Sequence, residues 1–267
     1  MFTRYAFVLA SFSFLAVSAS GQTAAFSGPL PAVPASIPNS PYSAEIRATS
    51  SLKEGDGGWL VQDLPVIKVW RDSLGRTRKE RFLESVTPLS LASELRGKVV
   101  VVEIEDPIDG FTYTVDTVGR MVHRVRLPAP GSLKALRPGA SLYKEAAAQV
   151  TREPLAKEML DGVLCDCERI SVPVKVPVSL PMKVPVYVPM KVPVAERTVL
   201  STNEQCTNPV LKVLVSSKMV IPEFSVSEMR LVNISRQEPD RALFRPPDGY
   251  AVVDESGPFT IQYGPTQ

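Results

Sequence analysis

The chain has 267 residues, 44% of them hydrophobic, enough for one large domain or two small ones. Its 30 Lys and Arg stand against 28 Asp and Glu, and a net charge of +2 makes no general electrostatic case for nucleic acid as a partner. Proline is the outlier at 25 residues, and because helices accept it only in the first turn and sheets only at edges, long helices are not expected.

Residues 1–20 read as a secretory signal. Arg4 precedes the apolar run Ala6–Val17, and Ser18, Ala19 and Ser20 supply small residues for cleavage after Ala19 or Ser20. The run is too short for a membrane span, and no cysteine follows it to carry a lipid anchor. An exported protein is expected, periplasmic, cell-surface or extracellular, with no transmembrane span after cleavage. Residues 21–58 open with "GQTAAFSGPLPAVPASIPNSPYS", uncharged and rich in proline and small residues, and are assigned to a linker.

Residues 59–170 are expected to form the first part of a β domain. "VIKVW" (Val66–Trp70) is a β-rich run, "RDSLGR" (Arg71–Arg76) a turn in which Asp72 and Ser73 bond their own backbone and Gly75 takes positive φ. "KVVVVEIE" (Lys98–Glu105), "FTYTV" (Phe111–Val115) and "MVHRVRL" (Met121–Leu127) are three strands separated by the turns "DPIDG" and "DTVGR". Phe111, Tyr113 and Val115 fall on one face and Thr112 and Thr114 on the other, as a half-buried sheet requires. Ser141–Val150 is the one short helix expected, capped by Ser141, and Asp161-Gly162 signals a hairpin. After a repeat insertion at 171–195, residues 196–267 complete the domain with "VLKVLVSSKMV" (Val210–Val220), "SVSEMRLVNI" (Ser225–Ile234), "YAVVDE" (Tyr250–Glu255) and "FTIQY" (Phe259–Tyr263). The fold class expected is mainly β: a curved antiparallel sheet, a meander or half-barrel, with one or two short helices and a Pro-rich extended insertion.

The insertion, "VPVKVPVSLPMKVPVYVPMKVPV" (Val172–Val194), has Val, Leu or Met at every even position. Its odd positions alternate proline with Lys175, Ser179, Lys183, Tyr187 and Lys191. In an extended chain this makes one apolar face and one face of proline and polar groups. Polyproline II, with three residues per turn, would smear the pattern. Backbone groups of alternate residues point to opposite edges of a strand, and every proline is odd, so one edge loses half its donors while the other keeps all of them. The segment should pair on one side only, as a protected edge strand or a hairpin. Fully extended it would reach about 75 Å, too long for one strand of such a domain. It is read as an interaction strip centred on Val172, Val174, Lys175, Val176, Lys183, Tyr187, Lys191 and Val194, able to add to a partner's sheet; a tolerated low-complexity insertion is the competing reading.

Cys165, Cys167 and Cys206 are the disulfide candidates of an oxidising compartment. A bond between Cys165 and Cys167 would be strained, whereas either one joined to Cys206 closes a loop of about 40 residues, for which chain entropy gives roughly 4 kcal/mol. The third thiol is left free or joins two chains. Cys-x-Cys with one distant cysteine lacks the paired spacing of a zinc site, so neither metal nor cofactor is implied. His123, the single histidine, sits mid-strand where a structural role outweighs a catalytic one. Glu103, Glu105, Asp106 and Asp109 could do acid–base work or hold calcium, but a solvated face running into a turn is the plainer reading. The basic run Arg76, Arg78, Lys79 and Arg81 lacks interleaved aromatics and reads as a solvated hairpin arm. No catalytic residue is assigned.

"WRDSLGRTRKERFLES" with "VEIEDPIDGFTYTVD", "EPLAKEMLDGV", and "RLVNISRQEPDRALFRPPDGYAVVDESGPF" resemble a family of secreted acidobacterial proteins without an assigned activity. That family looks similar to the outer-membrane lipoprotein carrier, a curved antiparallel sheet with helices in its concave side. The resemblance covers most of residues 59–267 and implies an apolar cavity for lipid or acyl chains; it carries over no site residues. The chain departs from the pattern at Cys165, Cys167 and the repeat. The functions expected are, first, a non-enzymatic binding protein for an apolar ligand or envelope partner; then a structural envelope component; then a hydrolase built on the four carboxylates.

Overall fold

The computed structural model describes residues 24–27, 37–54, 57–82, 97–127, 150–177 and 196–263. Their strands in chain order are β1 (Ala24–Ser27), β2 (Tyr42–Lys53), β3 (Trp59–Arg71), β4 (Thr77–Phe82), β5 (Val99–Asp106), β6 (Phe111–Asp116), β7 (Met121–Arg126), β8 (Thr151–Pro154), β9 (Glu158–Leu160), β10 (Val163–Pro177), β11 (Glu196–Asn208), β12 (Val213–Ile221), β13 (Ser225–Ser235), β14 (Ala251–Glu255) and β15 (Thr260–Tyr263). The mainly β expectation holds, and the only described helical turn is a 3-10 helix at Arg241–Phe244. The expected helix at Ser141–Val150 lies, apart from its last residue, outside the described residues. The chain divides into two compact units, one of residues 1–39, 70–133 and 238–267, the other of 40–69 and 134–237.

In the first unit β4, β5, β6 and β7 form the expected antiparallel meander, with β14 added beside β7. β14 runs parallel to β7, a departure from the all-antiparallel expectation. β5 is the centre: Val100, Val101, Val102, Glu103 and Ile104 are all buried, so both of its faces are covered. On one face Val102, Ile104, Tyr113, Val115 and Val122 pack with Phe244, delivered by the 3-10 helix that Asp240 caps through the Ala242 N–H. Arg78 donates to the Leu243 carbonyl at 2.9 Å and fastens that helix to β4. The β3–β4 turn is built as its residues require. Asp72, fully buried, accepts from the Leu74 and Arg76 amides at 3.0 and 2.9 Å, and its other oxygen takes the Arg76 guanidinium at 2.7 Å. Gly75 adopts φ 84°, which only glycine takes freely. Ser73 does not bond its own backbone; its hydroxyl donates to Glu238 at 3.0 Å. β1 and β15 form a separate antiparallel pair, Ala24 opposite Tyr263.

In the second unit the order is β2-β13-β12-β11-β10-β8, all antiparallel, with β9 also on β10 and β3 beside β2. The expected Asp161-Gly162 hairpin joins β9 to β10, both residues at positive φ. Ala44, Val69, Val163, Leu211, Val215 and Leu231 form the core together with Cys165, Cys167 and Cys206. The span assigned to a linker, 21–58, holds both β1 and β2, and β2 is a full sheet member paired with β13 from Ser43 to Leu52. Its alternating apolar residues Ala44, Ile46 and Ala48 share one face, with Ala44 in the core and Ile46 packed against it.

Candidate functional site

The first residues of the repeat belong to β10, whose pairing with β11 runs without a break from Asp166 opposite Thr207 to Pro177 opposite Glu196. Two observations fix which way its backbone points. The Cys167 carbonyl accepts from the Leu155 amide at 2.9 Å, so an odd residue faces the flank of β8. Cys167 and Cys206 stand directly opposite with Cα atoms 4.1 Å apart, the close spacing of a pair that exchanges no backbone bonds. Parity then carries Pro173, Lys175 and Pro177 onto the same outer flank, while Val172, Val174 and Val176 bond to β11. β8 pairs with β10 as far as Ser171 opposite Thr151 and stops there. Two residues on stands Pro173, which has no proton to donate. One flank is thus spent inside the molecule, and the other has lost the donors of Pro173 and Pro177 and keeps that of Lys175.

Among the strip residues, Val176 is buried, Val172 and Val174 are half-buried and Lys175 is exposed. Strand addition at Val172–Pro177 would have to displace β11, so what this stretch offers a partner is side chains. Lys183, Tyr187, Lys191 and Val194 lie outside the described residues.

Cys167 bonds to Cys206, one of the two pairings the sequence left open, and the loop it closes spans 39 residues including the repeat. The intramolecular bond leaves Cys165 as the free thiol, fully buried rather than presented to a second chain. Burial, with the Asp166 and Glu158 charges adding to it, pushes this thiol above its ordinary pKa. The Glu158 carboxylate lies within 4.8 Å of both bridging sulfurs, but sulfurs joined to each other are not thiolate ligands.

Three of the four carboxylates have partners of their own, and Asp109 is exposed. Glu103 is buried and takes the Arg81 guanidinium at 2.7 Å; Glu105 accepts from the Thr77 hydroxyl at 3.2 Å. Burial raises the Glu105 pKa, and the Lys79 charge and the Thr77 bond offset this in part. Asp106 holds the turn by accepting from the Ile108 and Asp109 amides. The three arginines of the basic run are paired likewise, Arg76 with Asp72, Arg78 with Glu80 and Arg81 with Glu103, while Lys79 is exposed. His123 bonds Glu255 through Nδ1 at 2.7 Å and stacks on Phe259 with ring centroids 4.5 Å apart. Beside it Arg124 makes a forked bond to Asp254. These contacts fasten β14, and the pairing of β7 with a strand some 130 residues later was not readable locally.

No protein-family model matches the chain, and no curated protein matches it. In strand course it is similar to solved structures. An uncharacterized conserved protein from Thermus thermophilus aligns over 81% of this chain and 91% of its own at 9% identity and a TM-score of 0.40. MucB aligns over 82% of this chain at 10% identity and a TM-score of 0.41, with this chain spanning 62% of it. A LolA superfamily protein from Nitrosomonas europaea aligns over 78% and 91% at 7% identity and a TM-score of 0.27. Likenesses this distant carry no activity across. No described helix is long and apolar enough to cross a membrane.

Proposed function

We propose that the chain is an exported, non-enzymatic binding protein for an apolar, lipid-like ligand or a cell-envelope partner, with the Val172–Val194 repeat as its contact strip. The observation that carries this reading is the arrangement at β10. Over Val172–Pro177 the ribbon is bonded to β11 on one flank and carries Pro173 and Pro177 on the other, which discourages strand addition there, and it keeps half-buried Val172 and Val174 beside the exposed Lys175. Contact through side chains, rather than through backbone bonds, is what such a ribbon has to offer. The Glu103, Glu105 and Asp106 carboxylates are engaged by Arg81, Thr77 and turn amides, which favours binding over acid–base chemistry.

Native mass spectrometry of the purified chain, with and without residues 178–194, tests it. The expected result is a co-purifying apolar ligand or captured envelope protein with the intact chain and its loss on deletion. A chain that carries neither, or a deletion that changes neither, overturns the reading.

A further inference from the structure

Three sulfurs share the core of the second unit, and only two are joined. Cys165 and Cys167 are two residues apart on β10, so their side chains leave the same face. Cys206 stands opposite Cys167, which places Cys165 diagonally from it, at a Cα separation of about 7–8 Å. That is just beyond the reach of a disulfide without backbone movement. Moving β10 by two residues along β11 puts Cys165 where Cys167 now stands.

A two-residue slip differs in kind from a slip of one. A one-residue slip would turn every side chain to the wrong face and aim prolines at β11, whereas two residues restore both the faces and the flanks. Over Val172–Pro177 the slip puts Ile170, Val172 and Val174 in the places of Val172, Val174 and Val176, so the even face stays β-branched and apolar. β11 already carries a register step at this rung, a bulge against β12 between Cys206 and Thr207.

We infer that the oxidised chain has a second disulfide isomer, Cys165–Cys206, in which β10 is displaced two residues along β11, and that Cys165 is the thiol that forms it. The Cys165 thiol gives up its proton, and its Sγ attacks the Sγ of Cys206. The Cys165–Cys206 bond forms as the Cys167–Cys206 bond breaks, and Cys167 leaves as a thiolate that takes up a proton. One disulfide and one thiol stand on each side, so no oxidant or reductant is consumed. The closed loop changes only from 39 residues to 206 − 165 = 41, so loop entropy does not choose between the isomers. Register-specific contacts choose: Arg169 to Glu204 at 2.7 Å, Gln205 to Glu168 at 2.6 Å, and Asn208 to the Leu164 carbonyl at 2.7 Å all hold the observed register. In the second isomer the base of the repeat sits about 7 Å further along β11. The inference does not depend on what the strip binds.

The test is peptide mapping of the disulfide under acid quench. Cys167→Ser, equilibrated in a glutathione redox buffer, is expected to give Cys165 linked to Cys206 in the monomer; two free thiols, or links only between chains, overturn the inference. Should that variant fail to fold, the wild type in sub-denaturing urea with catalytic reduced glutathione serves instead. A minor Cys165–Cys206 species is expected there, and Arg169→Ala, which removes a half-exposed pair of the observed register, should raise it by up to about fivefold. Cys167–Cys206 alone in both proteins overturns it. The readout is linked peptides, so it fails or succeeds independently of ligand capture.

Discussion

Replacing Asp72 is the sharpest stability test of the first unit. Its carboxylate is fully buried and accepts two backbone amides on one oxygen and the Arg76 guanidinium on the other. The Arg76 side chain is itself only 10% exposed and lies over the Phe244 ring at 5.2 Å. Asp72→Ala therefore leaves a guanidinium and an amide without a partner away from water. Breaking one side of a buried ion pair costs about 3–5 kcal/mol, and a buried unsatisfied amide adds about 1–3 kcal/mol that overlaps with it, so the expected loss is about 4–5 kcal/mol. That is a large share of the roughly 5–15 kcal/mol available to a domain. Asp72→Asn keeps an acceptor for the amides but turns an NH2 towards the guanidinium, and should lose about 3 kcal/mol. Combining it with Arg76→Met removes the stranded charge and should recover much of that loss. Urea unfolding followed by tryptophan fluorescence measures all three. A loss below about 1 kcal/mol for Asp72→Ala, or no recovery in the double variant, would refute the account of this turn as a closed charge network.

Reducing the Cys167–Cys206 bond frees a 39-residue loop in the unfolded chain and should lower stability by about 4 kcal/mol, read from urea midpoints with and without dithiothreitol. Glu105 has its pKa raised on folding, so the folded state holds that proton more tightly than the unfolded one. Its contribution is full below the ordinary carboxylate pKa and falls as pH rises through the raised value. Glu105→Gln should flatten that part of the melting profile, and an unchanged slope would exclude the assignment. Pro173→Thr with Pro177→Thr returns donors to the outer flank of β10; stability should shift by no more than about 1 kcal/mol per site, while sedimentation velocity shows increased self-association. A monomer with a strengthened β10–β11 ladder would mean those positions face β11. His123→Ala removes the Glu255 bond and the Phe259 stack, and should raise amide exchange in β14 while β5 and β6 stay protected.

The meander was legible because its signals are local. The valines of β5 and the Asp- and Gly-bearing turns after it sit within a few residues of the pairs they create, and the parity of the repeat could be worked out without knowing the partner strand. β11 was not legible: Glu196–Asn208 is mostly polar, and what makes it a strand is Arg169 reaching Glu204 and Glu168 receiving Gln205, a match that exists only once β10 lies beside it. β2 was hidden for a related reason, since its small and polar residues follow a proline-rich tract and gain their meaning from β13. The cysteine pairing needed register as well. Both Cys165 and Cys167 present the right face to Cys206, and only the rung on which they sit tells them apart. Of the candidate chemistry, the carboxylates were found as residues, but their engagement by Arg81 and Thr77 is a cross-strand property that spacing along one strand does not contain.

The pairing of β1 with β15 sets an order of events. Ala24–Ser27 and the strand that completes it, Thr260–Tyr263, lie more than 230 residues apart along the chain. Until that distant partner arrives, the backbone groups these residues will use on each other stay open, and a contact across such a separation is slow to close. Keeping the waiting segment to four residues limits what a stray neighbour can grip.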